Sequence, residues 1–136
     1  MTKERLRNYQ AIKREAEQLE QQIEELEARM YAPKTQQLTG MPSAGSPSPG
    51  SAIEAMTVKH LELVERYRAK LAQLAAEQLE IEEAIEALDG TERMLLRYRY
   101  IDGLTWEEVC VRLCYSWRQT HYIHAKALEQ LRAKEE

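Results

Sequence analysis

The apolar residues in the first part of the chain recur at steps of three and four. Between residues 3 and 30 they fall at Tyr9, Ile12, Ala16, Leu19, Ile23, Leu26 and Met30. This spacing places them along one side of a helix and is typical of a coiled-coil seam. Glu and Gln residues occupy the other sides, so we expect this helix to be stable only when its seam packs on a partner.

A second seam of the same kind runs through residues 51–88. Two polar residues, His60 and Gln78, share its register. A polar seam residue weakens packing but can fix the pairing register, which is the role we assign to Gln78. We interpret His60 as a partly exposed seam residue, because no second metal-ligand type stands beside it. The apolar members are Ile53, Val64, Tyr67, Leu71, Leu74, Ile81, Ile85 and Leu88.

A segment of different composition separates the two seams. Residues 33–50 contain all four prolines, three of the five glycines and a cluster of serines, which predicts a flexible linker. The helices on either side have similar lengths, so an antiparallel hairpin within one chain and pairing between chains are both geometrically open. We favour a homo-oligomer, preferably a dimer, because two amphipathic helices without a globular core have further apolar surface to bury.

The second seam is interrupted at Asp89-Gly90-Thr91. Gly90 suits the left-handed position that ends a helix, and Thr91 can cap the helix that follows. We expect that helix to end at Gly103. Its apolar face is predicted to consist of Met94, Leu95, Tyr98 and Ile101.

Two further helices begin with capping signals. Thr105 and Glu108 stand at capping-box spacing, and Cys114 interrupts the resulting helix after two to three turns. Ser116 and Gln119 repeat the capping pattern before a longer last helix. A short helix, a turn of about three residues and a longer helix form a helix-turn-helix, which directs the start of its second helix into the major groove of DNA. The positions expected to face inward are Trp106, Val109, Cys110, Leu113, Thr120, Ile123, Ala127, Leu128 and Leu131.

These patterns predict an all-α chain with four segments. They are a coiled-coil helix over residues 1–32, the linker over 33–50, a long coiled-coil helix over 51–89 and a three-helix, helix-turn-helix domain over 90–136. No apolar run is long enough to span a membrane and no secretory leader is recognisable, so we expect a cytoplasmic protein. Cys110 and Cys114 lie four residues apart in a helical segment and are expected to be reduced.

The charges are distributed unevenly. The net charge is −4, but residues 1–90 carry 11 basic and 16 acidic side chains, whereas residues 91–136 carry 8 and 7. Attraction for phosphate must therefore come from the C-terminal segment, and we expect non-specific affinity for DNA to be modest.

The C-terminal segment also resembles a known family. The run ERMLLRYRYIDGLTWEEVCVRLCYSWRQTHYIHAKALEQLR is similar to region 4 of sigma-70 transcription factors. The coiled-coil front, the Pro/Gly/Ser linker and this ending together resemble small proteins encoded by phages and prophages, related to phage late-gene transcription regulators. The resemblance implies double-stranded DNA as the partner and a bacterial host cell as the location.

The resemblance also implies which residues contact DNA. Arg118 is the strongest candidate, because a guanidinium can pair bidentately with guanine or with phosphate. The family pattern usually has Gly or another small residue where this chain has Cys114, so we expect the turn there to be reshaped. The residues implied to contact base edges or phosphate are Ser116, Trp117, Arg118, Gln119, His121 and Tyr122, with Lys126 further along the helix.

Three other interpretations of this segment are weaker. Cys110, Cys114, His121 and His124 have a spacing near that of a zinc finger, but a helix-turn-helix sends Cys110 inward and His121 outward, so we expect no metal and no other cofactor. The aromatic residues suggest a platform for single strands, yet Tyr98, Trp106 and Tyr115 fall where a small core needs bulk. The chain has neither a Gly-rich phosphate loop nor a plausible catalytic triad, so we expect no enzyme.

The sequence therefore favours a sequence-specific, double-stranded DNA-binding transcription regulator that dimerises through its coiled coil, with RNA polymerase as a further candidate partner. Two alternatives stay open. One is a coiled-coil assembly protein whose helix-turn-helix serves phage DNA packaging or replication. The other is a scaffold that does not bind DNA.

Overall fold

The computed structural model describes residues 1–32 and 49–135, and these residues form helices and connecting turns without a strand. The predicted all-α class is confirmed. The elements in chain order are α1 (Lys3–Met30), α2 (Pro49–Glu86), α3 (Gly90–Leu96), a π-helical turn (Arg97–Ile101), α4 (Trp106–Leu113) and α5 (Trp117–Glu135).

The predicted flexible linker falls almost wholly on residues 33–48, which lie outside the described residues. Its last two positions, Pro49 and Gly50, belong instead to the first turn of α2. Proline is tolerated there because the first backbone N–H groups of a helix have no partner within the helix.

The chain divides into two compact units, described here one at a time. The hairpin unit is Glu15–Leu71, and the terminal unit combines Met1–Arg14 with Ala72–Glu136. This division differs from the predicted boundary at residue 90, because both the start of α1 and the end of α2 belong to the same unit as the three C-terminal helices.

In the hairpin unit, α1 and α2 pair in opposite directions within one chain. The Lys70 ammonium lies 2.6 Å from the Glu15 carboxylate, and further along α1 the His60 Nε2 atom lies 2.9 Å from a Glu27 carboxylate oxygen. Residues of increasing number along α1 therefore lie beside residues of decreasing number along α2, so the two helices are antiparallel. His60 is partly exposed, as predicted.

The packed side of α2 in the hairpin unit differs in part from the predicted seam. Leu63 is buried, whereas Ile53 is 46% exposed and Leu71 is 40% exposed. The reason is that α2 carries apolar residues on more than one side, so the periodicity alone does not decide which side meets α1.

The terminal unit is built around one apolar core that draws on both ends of the chain. Leu6 and Tyr9 of α1 are essentially fully buried in it. Tyr9 also donates its hydroxyl to Oε1 of Gln78 at 3.1 Å, which gives the predicted polar seam residue a partner. The core consists of Met1, Leu6, Tyr9, Ile81, Ile85, Leu88, Leu95, Leu96, Tyr100, Ile101, Val109, Ala127 and Leu131.

The boundary between α2 and α3 does not form as predicted. Gly90 is the first residue of α3, and the cap position belongs to Asp89, not to Thr91. Gly90 does not adopt a positive φ, whereas Gly103 does, with φ +73°, and this residue ends the segment as expected.

The π-helical turn changes which residues of this segment are buried. The Asp102 N–H donates to the Arg97 carbonyl at 2.8 Å, five residues back, so the turn holds one residue more than an α-helical turn. Tyr100 is consequently buried. Met94, predicted to face inward, lies before this turn and is 46% exposed. Side chains of α1 satisfy two carbonyls here: Lys13 donates to the carbonyl of Ile101 at 2.6 Å, and Gln10 to that of Arg99 at 2.9 Å.

Because Leu6 is fully buried in the core of the terminal unit, Leu6→Ala should lower the free energy of unfolding of that unit by about 2–5 kcal/mol. The chain has two tryptophans, Trp106 and Trp117, and both lie in this unit, so urea unfolding followed by tryptophan fluorescence measures its stability. Asn8→Ala, an exposed position on the same turn, is the control. Equal stability of the two variants would contradict the role given to the start of α1.

Candidate nucleic-acid interface

The helix-turn-helix begins with the predicted Thr105 cap at the start of α4. Thr105 adopts an extended conformation, and its Oγ1 atom accepts a hydrogen bond from the Glu108 N–H at 3.2 Å. The Thr105 hydroxyl donates in turn to the Glu108 carboxylate at 3.1 Å. This pairing satisfies one of the N–H groups that a helix leaves free at its start and fixes where α4 begins.

The turn between α4 and α5 contains a left-handed residue. Cys114 has φ 59° and ψ 37°, and it is the only non-glycine residue with positive φ in the described part of the chain. Its N–H donates to the Val111 carbonyl at 3.3 Å, and the Tyr115 N–H donates to the Cys110 carbonyl at 3.2 Å. These two bonds form the Schellman arrangement that usually has glycine at the left-handed position.

The expectation that this turn is reshaped is therefore wrong. Cys114 takes the glycine conformation at a cost of about 1 kcal/mol, because the carbonyls at the end of α4 gain partners only in this geometry. The Cys114 side chain is exposed, so it meets no steric obstacle from the core in this conformation.

Ser116 ends the turn and starts α5 as predicted. Its Oγ atom accepts a hydrogen bond from the Gln119 N–H at 3.1 Å. Residues 114–116 thus connect α4 to α5, and α4 and α5 pack directly on each other. The predicted sequence of short helix, three-residue turn and longer helix is confirmed.

The start of α5 has one buried side and one exposed side. Thr120 and Ala127 are fully buried, and His124 is 7% exposed. The residues predicted to contact DNA lie on the other sides: Ser116, Trp117, Arg118, Gln119, Tyr122 and Lys126 are exposed, and His121 is intermediate.

A stack of rings connects the exposed start of α5 to the core. The ring centroids of Trp117 and His121 are 4.3 Å apart, and those of His121 and Trp106 are 4.4 Å apart. Trp106 also packs edge-on against His124 at 4.6 Å, and the His124 Nε2 atom lies 2.7 Å from the Tyr100 hydroxyl oxygen. We call these five side chains the aromatic stack. It fixes the first two turns of α5 against the start of α4.

The ring of His121 has a defined orientation in the aromatic stack. Its Nδ1 atom lies 2.9 Å from the Trp117 carbonyl oxygen, which can only accept, so Nδ1 carries the proton. In the neutral ring the Nε2 atom is then left as an acceptor.

His124 is held in its neutral form. Burial, followed by the nearby positive charges of Lys3, His121, Arg99 and Arg7, lowers its pKa to about 4. Burial raises the pKa of Tyr100, so that hydroxyl stays protonated and can donate to Nε2 of the neutral ring. This hydrogen bond lies inside the core and ties the π-helical turn to α5.

Sequence reasoning missed a group of basic residues beside α5. Arg99 places its guanidinium carbon 4.7 Å from the centroid of the Trp106 ring and donates to the Leu104 carbonyl at 3.0 Å. Lys3 and Arg7 are close enough to His124 to depress its pKa. No local signal identifies Lys3 and Arg7, because they reach α5 only through the packing of α1 in the terminal unit.

One prediction about an individual side chain needs revision. Tyr115, assigned to the core, is 41% exposed. Of the four residues with spacing near that of a zinc finger, His124 faces Tyr100 and Trp106 inside the core, while Cys114 is exposed. Over residues 1–32 and 49–135 the structure contains no group of three or more His, Cys, Asp and Glu side chains placed to hold a metal ion.

No described helix meets the length and apolarity that a membrane span requires.

The lowered pKa of His124 makes the stability of the protein depend on pH. In the unfolded chain this histidine takes up a proton near its ordinary value of 6.5, whereas in the folded chain it stays neutral down to about 4. The free energy of unfolding should therefore fall as the pH decreases from 7 to 5, by about 2 kcal/mol. Urea unfolding of the wild type and of His124→Gln at both pH values isolates this histidine. The variant should show a smaller loss, and identical losses would contradict the assignment.

Comparison with known proteins agrees with the geometry of the C-terminal helices. Residues 84–133 match the family model described as Sigma-70, region 4. A search of curated proteins and a search of solved structures each return no match. The matched range covers the end of α2, α3, the π-helical turn, α4 and nearly all of α5. Residues 84–133 are therefore similar to sigma-70 region 4 and form a helix-turn-helix of the DNA-binding type.

Proposed function

We propose that the protein is a sequence-specific, double-stranded DNA-binding transcription regulator of the phage or prophage type. The observation that carries the proposal is the start of α5, which combines exposed polar and aromatic side chains with a fixed position on α4. Such a helix start can enter a major groove without first having to be ordered, which favours affinity and specificity together.

Arg118 is the residue proposed to read a base. Its side chain is exposed on α5, one residue after the helix begins. The two parallel N–H groups of a guanidinium match O6 and N7 of guanine, which no other base pair presents in that pattern. Gln119 is exposed beside it and carries the amide that pairs with adenine.

The neighbouring residues are proposed to position the helix. Ser116 and the free N–H groups at the start of α5 suit a backbone phosphate, and Lys126 suits a second phosphate further along. Trp117 is 53% exposed and Tyr122 is 65% exposed. Their rings offer apolar contact to a thymine methyl group or a deoxyribose.

The charge of the chain favours specific over non-specific binding. A net charge of −4 opposes the approach of DNA as a whole, so affinity must arise from the local contacts at α5 and the basic residues beside it. Lys3, Arg7 and Arg99 add positive charge close to His124.

Four further parts of the proposal rest on the sequence. Dimerisation is supported by the apolar surface of two long amphipathic helices, and RNA polymerase is the protein partner suggested by the likeness to sigma-70 region 4. The chain is proposed to act by binding and not by catalysis, and to act in the cytoplasm of a bacterial host.

Replacing Arg118 tests the proposed base contact. Arg118→Ala should weaken binding to the specific duplex by about 1–3 kcal/mol and relax base preference at one position of the site. Arg118→Lys keeps the charge but loses the bidentate geometry, so it should retain non-specific affinity and lose most of the base preference. Fluorescence anisotropy with the specific duplex and with a scrambled one gives both quantities.

Arg132→Ala is the matched control, because Arg132 is also an exposed arginine on α5 but lies near the other end of the helix. It should alter specific binding by less than about 0.5 kcal/mol. If Arg118→Ala bound the specific duplex as tightly as this control, the proposed base contact would be disproved.

A further inference from the structure

The start of α1, in the terminal unit, carries two basic side chains without a partner among the described residues. Lys3 and Arg7 are four residues apart, so they lie on the same side of the helix. Both are exposed, and neither side chain has a hydrogen bond or an ion pair with another described residue. Arg5 differs, because its guanidinium pairs with the carboxylates of Glu80 and Glu77. Lys3 and Arg7 therefore keep their positive charge available to a partner outside the chain.

These two side chains lie beside α5 and the π-helical turn, which belong to the same unit. Lys3 lines a groove together with Ala125 of α5. Three residues beyond Arg7 on α1, Gln10 donates to the Arg99 carbonyl at 2.9 Å. Arg7 stands between Lys3 and Gln10 on the same side of the helix, so the packing of α1 holds it near both α5 and Arg99.

Arg99 adds a third positive charge at this place. Its guanidinium carbon lies 4.7 Å from the centroid of the Trp106 ring, and one of its N–H groups donates to the Leu104 carbonyl at 3.0 Å. A guanidinium has five N–H donors, so others remain for a ligand. These contacts hold the side chain in position before any ligand arrives. We call Lys3, Arg7 and Arg99 the basic patch.

The electrostatic field at the basic patch is positive. His124 lies beside it inside the core, and burial is the main cause of its lowered pKa. The charged groups that lower this pKa further are all basic: Lys3, His121, Arg99 and Arg7. A positive field at the surface of a protein attracts phosphate.

The basic patch is placed beside the edge of the groove that α5 is proposed to enter. Ala125 is seven residues after Arg118, so the two lie on the same side of α5 and about 10 Å apart along its axis. The major groove is about 12 Å wide and is bordered by phosphates on both sides. A helix whose first turns contact bases therefore comes near a bordering backbone at Ala125, where Lys3 stands.

We propose that the basic patch binds the DNA phosphate backbone that borders the major groove occupied by α5. The start of α1 then acts as a second DNA-contacting element, which adds affinity without reading sequence. The inference rests on the proposed function and extends it to Lys3 and Arg7, which lie outside the match to sigma-70 region 4 at residues 84–133.

Replacing the two exposed members of the basic patch tests the proposal. Arg7→Gln and Lys3→Gln should each weaken binding by about threefold to tenfold, equally for the duplex recovered by selection and for a scrambled duplex of the same length. Each should also reduce the slope of log association constant against log salt concentration by about 0.9, because one phosphate contact is lost. Arg7→Gln should have the larger effect on affinity, because Glu4 and Glu129 line the groove beside Lys3. Fluorescence anisotropy at about 50 to 200 mM salt gives both quantities.

Arg5→Gln is the matched control. It removes one positive charge from the same turn of α1, but that charge is already paired with Glu80 and Glu77. It should change affinity by less than about twofold and leave the slope as in the wild type. Arg7→Lys keeps the charge and should bind within about twofold of the wild type, because a lysine also binds phosphate. Urea unfolding followed by tryptophan fluorescence checks that every variant is folded.

The outcomes separate the basic patch from the proposed function. The patch would be overturned if Arg7→Gln and Lys3→Gln kept the wild-type slope, or if Arg5→Gln weakened binding as much as they do. An unchanged slope together with base preference that depends on Arg118 would still support the proposed function. Binding that depends on the patch but prefers no sequence supports the patch and contradicts the proposed function. A chain that binds no duplex contradicts both.

Discussion

The C-terminal helices are stabilised by one apolar core in the terminal unit, to which both ends of the chain contribute. α3 and α4 have seven and eight residues, which is too short for a helix to persist alone in water. They are held because Leu6 and Tyr9, from one end of the chain, bury with Leu131, from the other, in a single apolar cluster. The three C-terminal helices therefore contain only part of the core that stabilises them, and the match to sigma-70 region 4 does not include the residues of α1 that complete it.

The candidate interface at the start of α5 is held in position by contacts with that core. Tyr100 holds His124 within the core, and Trp106 contacts both His124 and His121. Trp117, at the surface, stacks on the other side of His121. The first turns of α5 are thus supported by a second layer of packed side chains, which is what a binding site needs if its contacts are to be placed before the ligand arrives.

The sequence predicted the features that are encoded within a few residues. The caps at Thr105 and Ser116 depend on neighbours three positions away, and both form as predicted. Features that depend on distant packing were predicted less well. A π-helical turn shifts the register after Met94, which no apolar spacing reveals, and Leu6 reaches the core only through the path of α1. On α2, periodicity does not choose between two apolar sides, so the burial of Leu63 was missed.

We propose that the exposed start of α5 reads base pairs of double-stranded DNA. Selection of bound molecules from a pool of random duplexes tests it most directly, because a binder that only contacts phosphate enriches no sequence. Successive rounds with the full chain should converge on a short recurring motif containing a guanine, at the position where Arg118 is proposed to pair. A pool that stays random after the same rounds would contradict it.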